Sequence, residues 1–298
     1  MITVFAPDGA GEVLAGTDLA DLVLQTVGDS EQGPLQDGDV VVVTSKVLSK
    51  AAGLTRPGTD REAAVEEQTV HTVARRGPTR IVRTRHGLTL AAAGVDASNV
   101  TAGTVLVLPA DPDADAAALL ATLTARTGLA LAVVISDTAG RAWREGQTDQ
   151  AIGAAGLRVL ERYAGRRDGY GNELQVTETA VADEVAGAAD LVKGKLRGRP
   201  VAVVRGLAHL VQAPGGTDGT AADLVRDPAQ DLFSRGAREA VLLAALRATG
   251  QADRYEQVVA LDEPERTTAV LAGTGPDGTP LGEQAVALVR ALLAADLR

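Results

Sequence analysis

An α+β fold of mixed sheets with helices is predicted for this 298-residue chain by three features. Short Val- and Ile-rich runs bounded by Gly, Asp and Pro alternate irregularly with alanine-rich segments of helical period. At 45% hydrophobic and 23% charged residues the chain can bury one large core or two intimately joined ones, and it is too apolar for disorder. Aromatic residues make up only 2%, so that core must be built from Val, Leu, Ala and Ile.

The elements follow in order. Met1 to Phe5 reads as a strand, and Thr17 to Val27 as a short helix capped by Thr17 or Asp18, with Leu19, Leu22 and Val23 on one face. The turn Asp37-Gly38-Asp39 leads into a strand from Val40 to Thr44. Thr59 to Arg76 carries Glu and Arg at helical spacing until Pro78 breaks it. Ile81 to Thr84 and Leu88 to Ala92 form a hairpin about His86-Gly87, and Val105 to Leu108 is a buried strand. Asp111 to Thr127 is a helix. The apolar triplet Val133-Val134-Ile135 is then a buried strand that delivers Ser136-Asp137-Thr138 at its mouth. Thr179 to Lys193 is the clearest helix, with Val181, Val185, Ala188 and Val192 on one stripe and Lys193 and Lys195 at its C-terminal end, where the helix dipole favours cations. Val201 to Val204 is the last strand, and Ala208 to Asp227 is a long loop rich in Gly, Thr, Asp and Pro. A helix through Leu246, a polar connection and a final helix from Glu283 to Leu297 complete the chain.

Composition narrows the function. A net charge of -10 and the scarcity of aromatics argue against nucleic acid as a partner. With no Cys there is no disulfide, thiolate metal site or cysteine nucleophile, which fits a reducing compartment. The N-terminus lacks a basic, then apolar, leader and no stretch is long enough to span a membrane, so a cytoplasmic location without membrane attachment is expected.

The P-loop, the glycine triplet of dinucleotide folds, the GxSxG elbow and the HExxH helix are all absent. What remains is a set of polar segments after strands. Asp137, directly after a triple apolar run, either caps the next segment or binds something; with Arg141 and Arg144 close by, oxygen ligands for a hard metal and guanidinium groups for phosphate would meet there. Ser45, Lys46 and Lys50 lie just beyond Val40 to Thr44, as solvated surface charge or as cations presented to phosphate. Glu178 is either a first-turn acid favoured by the helix dipole or a ligand. Of the three histidines, only His86, between Arg85 and Gly87, is placed for function.

The strings SKVLSKAAG, RTRHGLTLAAAGVDASNV, SDTAGRAWREGQTDQAIG, DGYGNELQVTETAVADE and RDPAQDLF resemble the coenzyme F420-0:L-glutamate ligases, or F420 gamma-glutamyl ligases, over about Val4 to Phe233. The resemblance implies an enzyme in which GTP activates the terminal carboxylate of F420-0 as an acyl phosphate. The amine of L-glutamate then displaces phosphate, and further rounds extend a γ-linked tail. Mg2+ or Mn2+, with K+ as a possible further cation, is implied as well. Carried over residue by residue, Asp137, Glu178, Thr179 and Asp168 are the expected metal ligands. Gly11, Glu12, Val13, Leu14, Ser45, Lys46, Lys50 and Gly140 are the expected GTP contacts. Arg141 and Arg144 would hold phosphate or substrate carboxylate in catalysis; His86, Asp96, Ser98 and Asn99 would line the substrate side; Gly215 to Gly219 would close over the nucleotide. The N-terminal segment departs from the family pattern in having no proline between Pro7 and Pro34.

The family also implies a homodimer; the resemblance ends near Phe233, so a ligase domain over residues 1–233 and a helical C-terminal extension of unknown role over 234–298 are expected. Some relatives fuse a nitroreductase-like flavin domain to the ligase. The 65 residues after Phe233 are too few for it, so ligase activity alone is expected here, with any reductase on a separate polypeptide. Two alternatives remain at this level: a non-catalytic nucleotide-binding subunit that supports such a reductase, and an amide ligase for another deazaflavin acceptor.

Overall fold

The computed structural model describes residues 1–212, 219–262, 264–274 and 279–295. In chain order the strands are β1 (Thr3–Phe5), β2 (Val40–Thr44), β3 (Thr55–Pro57), β4 (Thr69–Arg76), β5 (Thr79–Thr84), β6 (Thr89–Ala91), β7 (Thr104–Leu106), β8 (Ala132–Arg141), β9 (Arg144–Ala155), β10 (Leu160–Arg162), β11 (Glu178–Ala180) and β12 (Val201–Arg205). The helices are α1 (Leu19–Gly28), α2 (Ser45–Ala51), α3 (Arg61–Gln68), α4 (Pro112–Thr127), α5 (Val181–Lys193), α6 (Ala237–Ala248), α7 (Tyr255–Val259), α8 (Glu265–Leu271) and α9 (Glu283–Ala295). Strands and helices are thus mixed, as the sequence predicts. Among the described residues no helix is long and apolar enough to cross a membrane.

The chain divides into two compact units, Met1–Ala64 with Val95–Val225 and Val65–Gly94 with Arg226–Arg298. The first is built on a five-stranded sheet in the order β1-β12-β2-β8-β9, in which β2 and β8 run parallel and every other pairing is antiparallel. Its centre is aliphatic on both faces: Val40 to Val43 and Ala132 to Ile135 have no exposed surface. Because side chains alternate along a strand, Val40, Val42, Val134, Ala202 and Val204 meet Val181, Val185, Ala186 and Ala189 of α5 in one cluster. Their neighbours Val41, Val43, Val133 and Ile135 are buried on the other face. There α4 packs, capped by Asp111, whose carboxylate accepts from the Ala114 N–H at 3.0 Å.

Helix α4 sits so close to β9 that a Cβ on Gly153 would lie 2.3 Å from the Pro112 carbonyl oxygen and 2.5 Å from its carbon. Backbone cannot yield as a side-chain tip can. Gly153→Ala is therefore expected to destabilise this unit by about 1–3 kcal/mol, read as a lower urea midpoint at unchanged slope.

In the second unit a three-stranded antiparallel sheet, β4-β5-β6, has β4 at its edge. Side chains from the C-terminal helices meet that edge. Glu239 accepts from the Arg75 N–H at 3.0 Å, Glu256 accepts from the Thr72 N–H at 3.2 Å, and the Tyr255 hydroxyl donates to the Thr72 carbonyl at 2.9 Å. Residues 226–298 thus share a unit with a β-sheet drawn from the first third of the sequence.

Four element readings need correction. The helix expected over Thr59 to Arg76 ends at Gln68, where Thr69, Val70, Thr72 and Val73 pass into β4 because β-branched side chains favour a pleated surface. The strand expected to stop at Ile135 continues to Arg141, since β9 pairs with it almost to the Ala142-Trp143 turn. Glu178 and Thr179 belong to β11, paired with Arg162 and Glu161 of β10, and α5 starts only at Val181. The polar connection after Leu246 contains α7 and α8. Of the loop expected from Ala208, residues 213–218 lie outside the described residues, and with them most of the segment expected to close over a nucleotide.

Candidate active site

The parallel register of β2 and β8 sets Thr44 beside Ser136, so the C-terminal ends of both strands open at one place. On one side the chain turns directly into α2. The Ser45 hydroxyl, first in that helix, donates to Asp137 Oδ1 at 2.9 Å across 92 residues of sequence. Lys46 and Lys50 are four residues apart and so share a helix face. Lys46 pairs with Asp96 at 2.5 Å and also bonds Ser98, which caps the same aspartate through its backbone N–H at 2.7 Å. Burial would raise the Asp96 carboxyl, but the Lys46 bond and charge outweigh it and hold the group below the usual range.

On the other side, β9 places Asp149 opposite Thr138. Asp149 is almost wholly buried; it accepts from the Ser136 hydroxyl at 2.8 Å and from the Thr138 hydroxyl at 2.7 Å. The last turn of α5 delivers Lys193, 5% exposed, whose ammonium reaches Asp149 Oδ2 and Ser136 Oγ at 2.8 Å each. Burial pushes Asp149 up, yet the Lys193 charge and the surrounding donors bring its carboxyl below the ordinary value. Lys195, past Gly194, bonds Thr138 and stands 4.0 Å from Asp149. Asp137 is treated differently. Burial raises it to about 6, against the Ser45 hydrogen bond, and the negative charges of Asp149 and Asp96 add to the rise.

A cavity of about 500 Å³ opens on this cluster. Four lysines, Lys46, Lys50, Lys193 and Lys195, line it together with Thr138, Asp149 and Asn99. The N-terminal segment Ala10 to Val13 contributes a further wall, and Arg199, which also lines the cavity, clasps Asp8, two residues ahead of that segment, through two hydrogen bonds of 2.6 and 2.5 Å. Cations gathered around hydroxyls and backbone in a concave site suit a multiply charged oxyanion.

The family model for F420-0:gamma-glutamyl ligase matches residues 9–206, two thirds of the chain and all of the cavity wall. The chain belongs to the F420-0:gamma-glutamyl ligase family. Proteins named coenzyme F420:L-glutamate ligase align with it over almost their whole length. The one from Methanothermobacter thermautotrophicus is 38% identical over 256 residues, 78% of this chain and 98% of the relative. That from Methanopyrus kandleri is 37% identical over 242 residues (74% and 93%), and that from Archaeoglobus fulgidus 34% over 255 (78% and 97%).

The expected family positions divide sharply in this gamma-glutamyl ligase. Gly11, Glu12, Val13, Lys46, Lys50 and Asn99 line the cavity; Asp96 and Ser98 bond the lining Lys46, while Ser45 and Asp137, which do not line it, bond each other one residue from the lining Thr44 and Thr138. Leu14 and Gly140 are exposed and do not line it. Arg141 and Arg144 sit at the exposed turn of the β8–β9 hairpin, where Arg141 donates to the Glu145 carbonyl at 3.1 Å, and neither lines the cavity. His86 belongs to the second unit, in the turn between β5 and β6.

The four expected metal ligands are not gathered: among the described residues no three Asp, Glu or His side chains form a metal-holding group. Asp168 spends its oxygens on its own turn, accepting from the Tyr170 and Asn172 N–H groups at 2.8 and 2.9 Å and from the Asn172 amide at 3.0 Å. Glu178 is paired with Arg162 at 2.9 Å, and Thr179 is a strand residue opposite Glu161. Asp137 alone keeps the chemistry of a cation ligand, a half-buried carboxylate pressed by two others. Sequence reasoning missed Asp149, Lys193, Lys195 and Arg199. The signal available for the lysines was their place at a helix end, which the dipole already accounts for.

Proposed function

We propose that this chain joins L-glutamate in γ-linkage to coenzyme F420-0, using GTP and a divalent metal ion, as part of F420 biosynthesis. One observation carries the reading: a four-lysine cavity beside a carboxylate of raised pKa, in a chain aligned with nearly the full length of relatives named for this ligation. Phosphoryl transfer asks a protein for positioning and charge neutralisation more than for covalent help. Lys46, Lys50 and Lys195 supply point charges for phosphate oxygens, and Asp149 holds Lys193 in place beneath them. Asp137 is the residue that would hold Mg2+ or Mn2+. The ion, when bound, neutralises phosphate charge.

In this scheme a carboxylate oxygen of F420-0 attacks the γ-phosphorus of GTP and GDP leaves. The glutamate amine then attacks the acyl carbon, phosphate leaves with the C–O electron pair, and the nitrogen gives up a proton. The working unit in this reading is a homodimer, measurable by light scattering.

Mass spectrometry of F420-0 incubated with the purified chain, GTP, Mn2+ and L-glutamate tests the reading, with ATP and metal-free controls. Gain of one or more glutamyl units that needs both GTP and metal is expected; no gain would sink it. Lys50→Ala should raise KM for GTP about tenfold, the worth of one hydrogen bond to a charged group, while KM for L-glutamate stays within about twofold. Initial rates at varied GTP would measure it.

A further inference from the structure

Strand β9 carries one residue more than the stretch of β8 it pairs with. Val133 to Ile135 face Ala155 to Gly153, but Ser136 to Thr138 face Ala151 to Asp149, so Ile152 stands opposite nothing. Such a bulge shifts the alternation of side chains by one place. Ala151 and Ala154, three residues apart, consequently pack into one cluster with Val181, Val185 and Ala186 of α5, where an unbroken strand would send them to opposite faces. Asp149, two residues from Ala151, is brought by the same shift to the face of Ser136, Thr138 and Lys193 and makes its bonds there. Without the extra residue Thr138 would stand opposite Gln150, and Asp149 would point to the other side of the sheet.

β9 is also an edge strand, so an amide that turns outward needs a partner from another element. The Ala151 N–H, beside the bulge, donates to Asp183 Oδ1 at 2.8 Å. Asp183 lies in the first turn of α5, the helix whose last turn delivers Lys193. The helix dipole favours an acid in a first turn, and the exposed Glu184 next to it already meets that preference. Asp183 differs in being half-buried: burial raises its carboxyl above the usual value, against the pull of the Ala151 bond. Both ends of one helix thus grip one short stretch of β9, Asp183 at Ala151 and Lys193 at Asp149.

We propose that Asp183 is a positioning residue of the ligase. By holding the Ala151 N–H it keeps the Ile152 bulge in register, and the bulge presents Asp149 to Lys193 and Thr138 in the lysine cavity. The role asks for an acceptor oxygen at this position and not for a charge. It rests on the ligase reading above for the reaction that the Asp149–Lys193 pair serves.

Two readouts on the full chain test it, the first independent of catalysis. Urea midpoints of Asp149→Leu, Lys193→Met and the two combined give the coupling within the pair, in the parent and in the Asp183→Asn and Asp183→Ala backgrounds. The combined loss should fall well short of the sum of the single losses in the parent and with Asp183→Asn, and should approach that sum with Asp183→Ala. Coupling that survives Asp183→Ala overturns the proposal. The second readout is initial rates of the single Asp183 variants at varied GTP and varied L-glutamate. Asp183→Ala should raise KM for GTP about tenfold, as loss of a hydrogen bond to a charged group does, with KM for L-glutamate within about twofold, while Asp183→Asn should keep both within about twofold. A role in stability alone would lower kcat through the folded fraction and leave both KM values in place, and that result overturns the positioning role. Where Asp183→Ala leaves too little folded protein, Asp183→Ser, whose hydroxyl falls short of the amide, replaces it in both readouts. If the parent forms no product the ligase reading falls, and loss or survival of the coupling then upholds or overturns the part given to Asp183.

Discussion

Asp137→Asn should lower the rate of glutamate ligation by about a thousandfold, since the metal-anchoring charge proposed for it would be lost, and with it several kcal/mol of transition-state stabilisation at 1.36 kcal/mol per decade. The same variant should be no less stable than the parent. Asparagine keeps the shape and an oxygen to accept from Ser45, so the link between α2 and β8 survives. The charge, by contrast, is a burden to the fold. Burial and the neighbouring carboxylates raise the folded-state pKa of Asp137 from 3.8 to about 6. At pH 8 the group is ionised whether folded or unfolded, and the folded chain carries the full cost. The cost is relieved as pH falls through about 6 and is gone below the unfolded value near 4. Asparagine should therefore stabilise at pH 8, by no more than about 3 kcal/mol for a shift of this size, with the advantage shrinking towards pH 5. Urea unfolding at the two pH values, beside turnover assays, checks both halves. Undiminished turnover would remove Asp137 from the chemistry. On the proposed role of Asp137, wild-type activity should also fall as pH drops through 6, because a metal ion would then compete with a proton for this carboxylate.

Asp149→Ala should have the largest effect on stability, a loss of about 3–5 kcal/mol. Both members of the Lys193–Asp149 pair are about 95% enclosed, with side chains 5% and 4% exposed. Removing the carboxylate leaves the Lys193 ammonium with the Ser136 hydroxyl and no counter-charge. Removing both charges together, as in Asp149→Leu with Lys193→Met, should recover more than half of the loss, because apolar groups of similar size replace a buried ion pair at little cost. Denaturant unfolding of the two single variants and the double gives the coupling directly. A loss below about 1 kcal/mol for Asp149→Ala, the range of a solvated pair, would mean that water reaches the pair. The double variant should nevertheless be inactive, having lost one of the four lysines of the cavity.

The parts of the site that local patterns reveal are those built within one segment. Val40 to Val43 is uniformly apolar, so β2 could be read directly and Lys46 and Lys50 placed just beyond its end, although the helix α2 that carries them was not foreseen. The same holds for α4, announced by Asp111 and Pro112. The second half of β8 carries no such signal. Ser136-Asp137-Thr138-Ala139-Gly140-Arg141 lacks an apolar alternation, and its strand character comes from pairing with β9, a tertiary effect. With the hairpin unread, Asp149 had no route to Ser136 and Thr138. Lys193 and Lys195 looked like ordinary C-terminal helix cations, and only the packing of α5 on the sheet turns one of them inward. Gly11 to Val13 came from family resemblance alone, since the segment has no regular structure to betray it. The second unit hid its purpose in a similar way, because Glu239 and Glu256 resemble the surface charges of any amphipathic helix.

Those two glutamates decide what the tail is for. A strand with unanswered amides invites a stranger to zip alongside it, and chains that do so with one another end as fibres or precipitate. Glu239, Tyr255 and Glu256 answer Arg75 and Thr72 before any stranger can. The helices that carry them, α6 and α7, thus behave as a plug moulded to a socket formed much earlier in the chain, and trimming them away would uncork it.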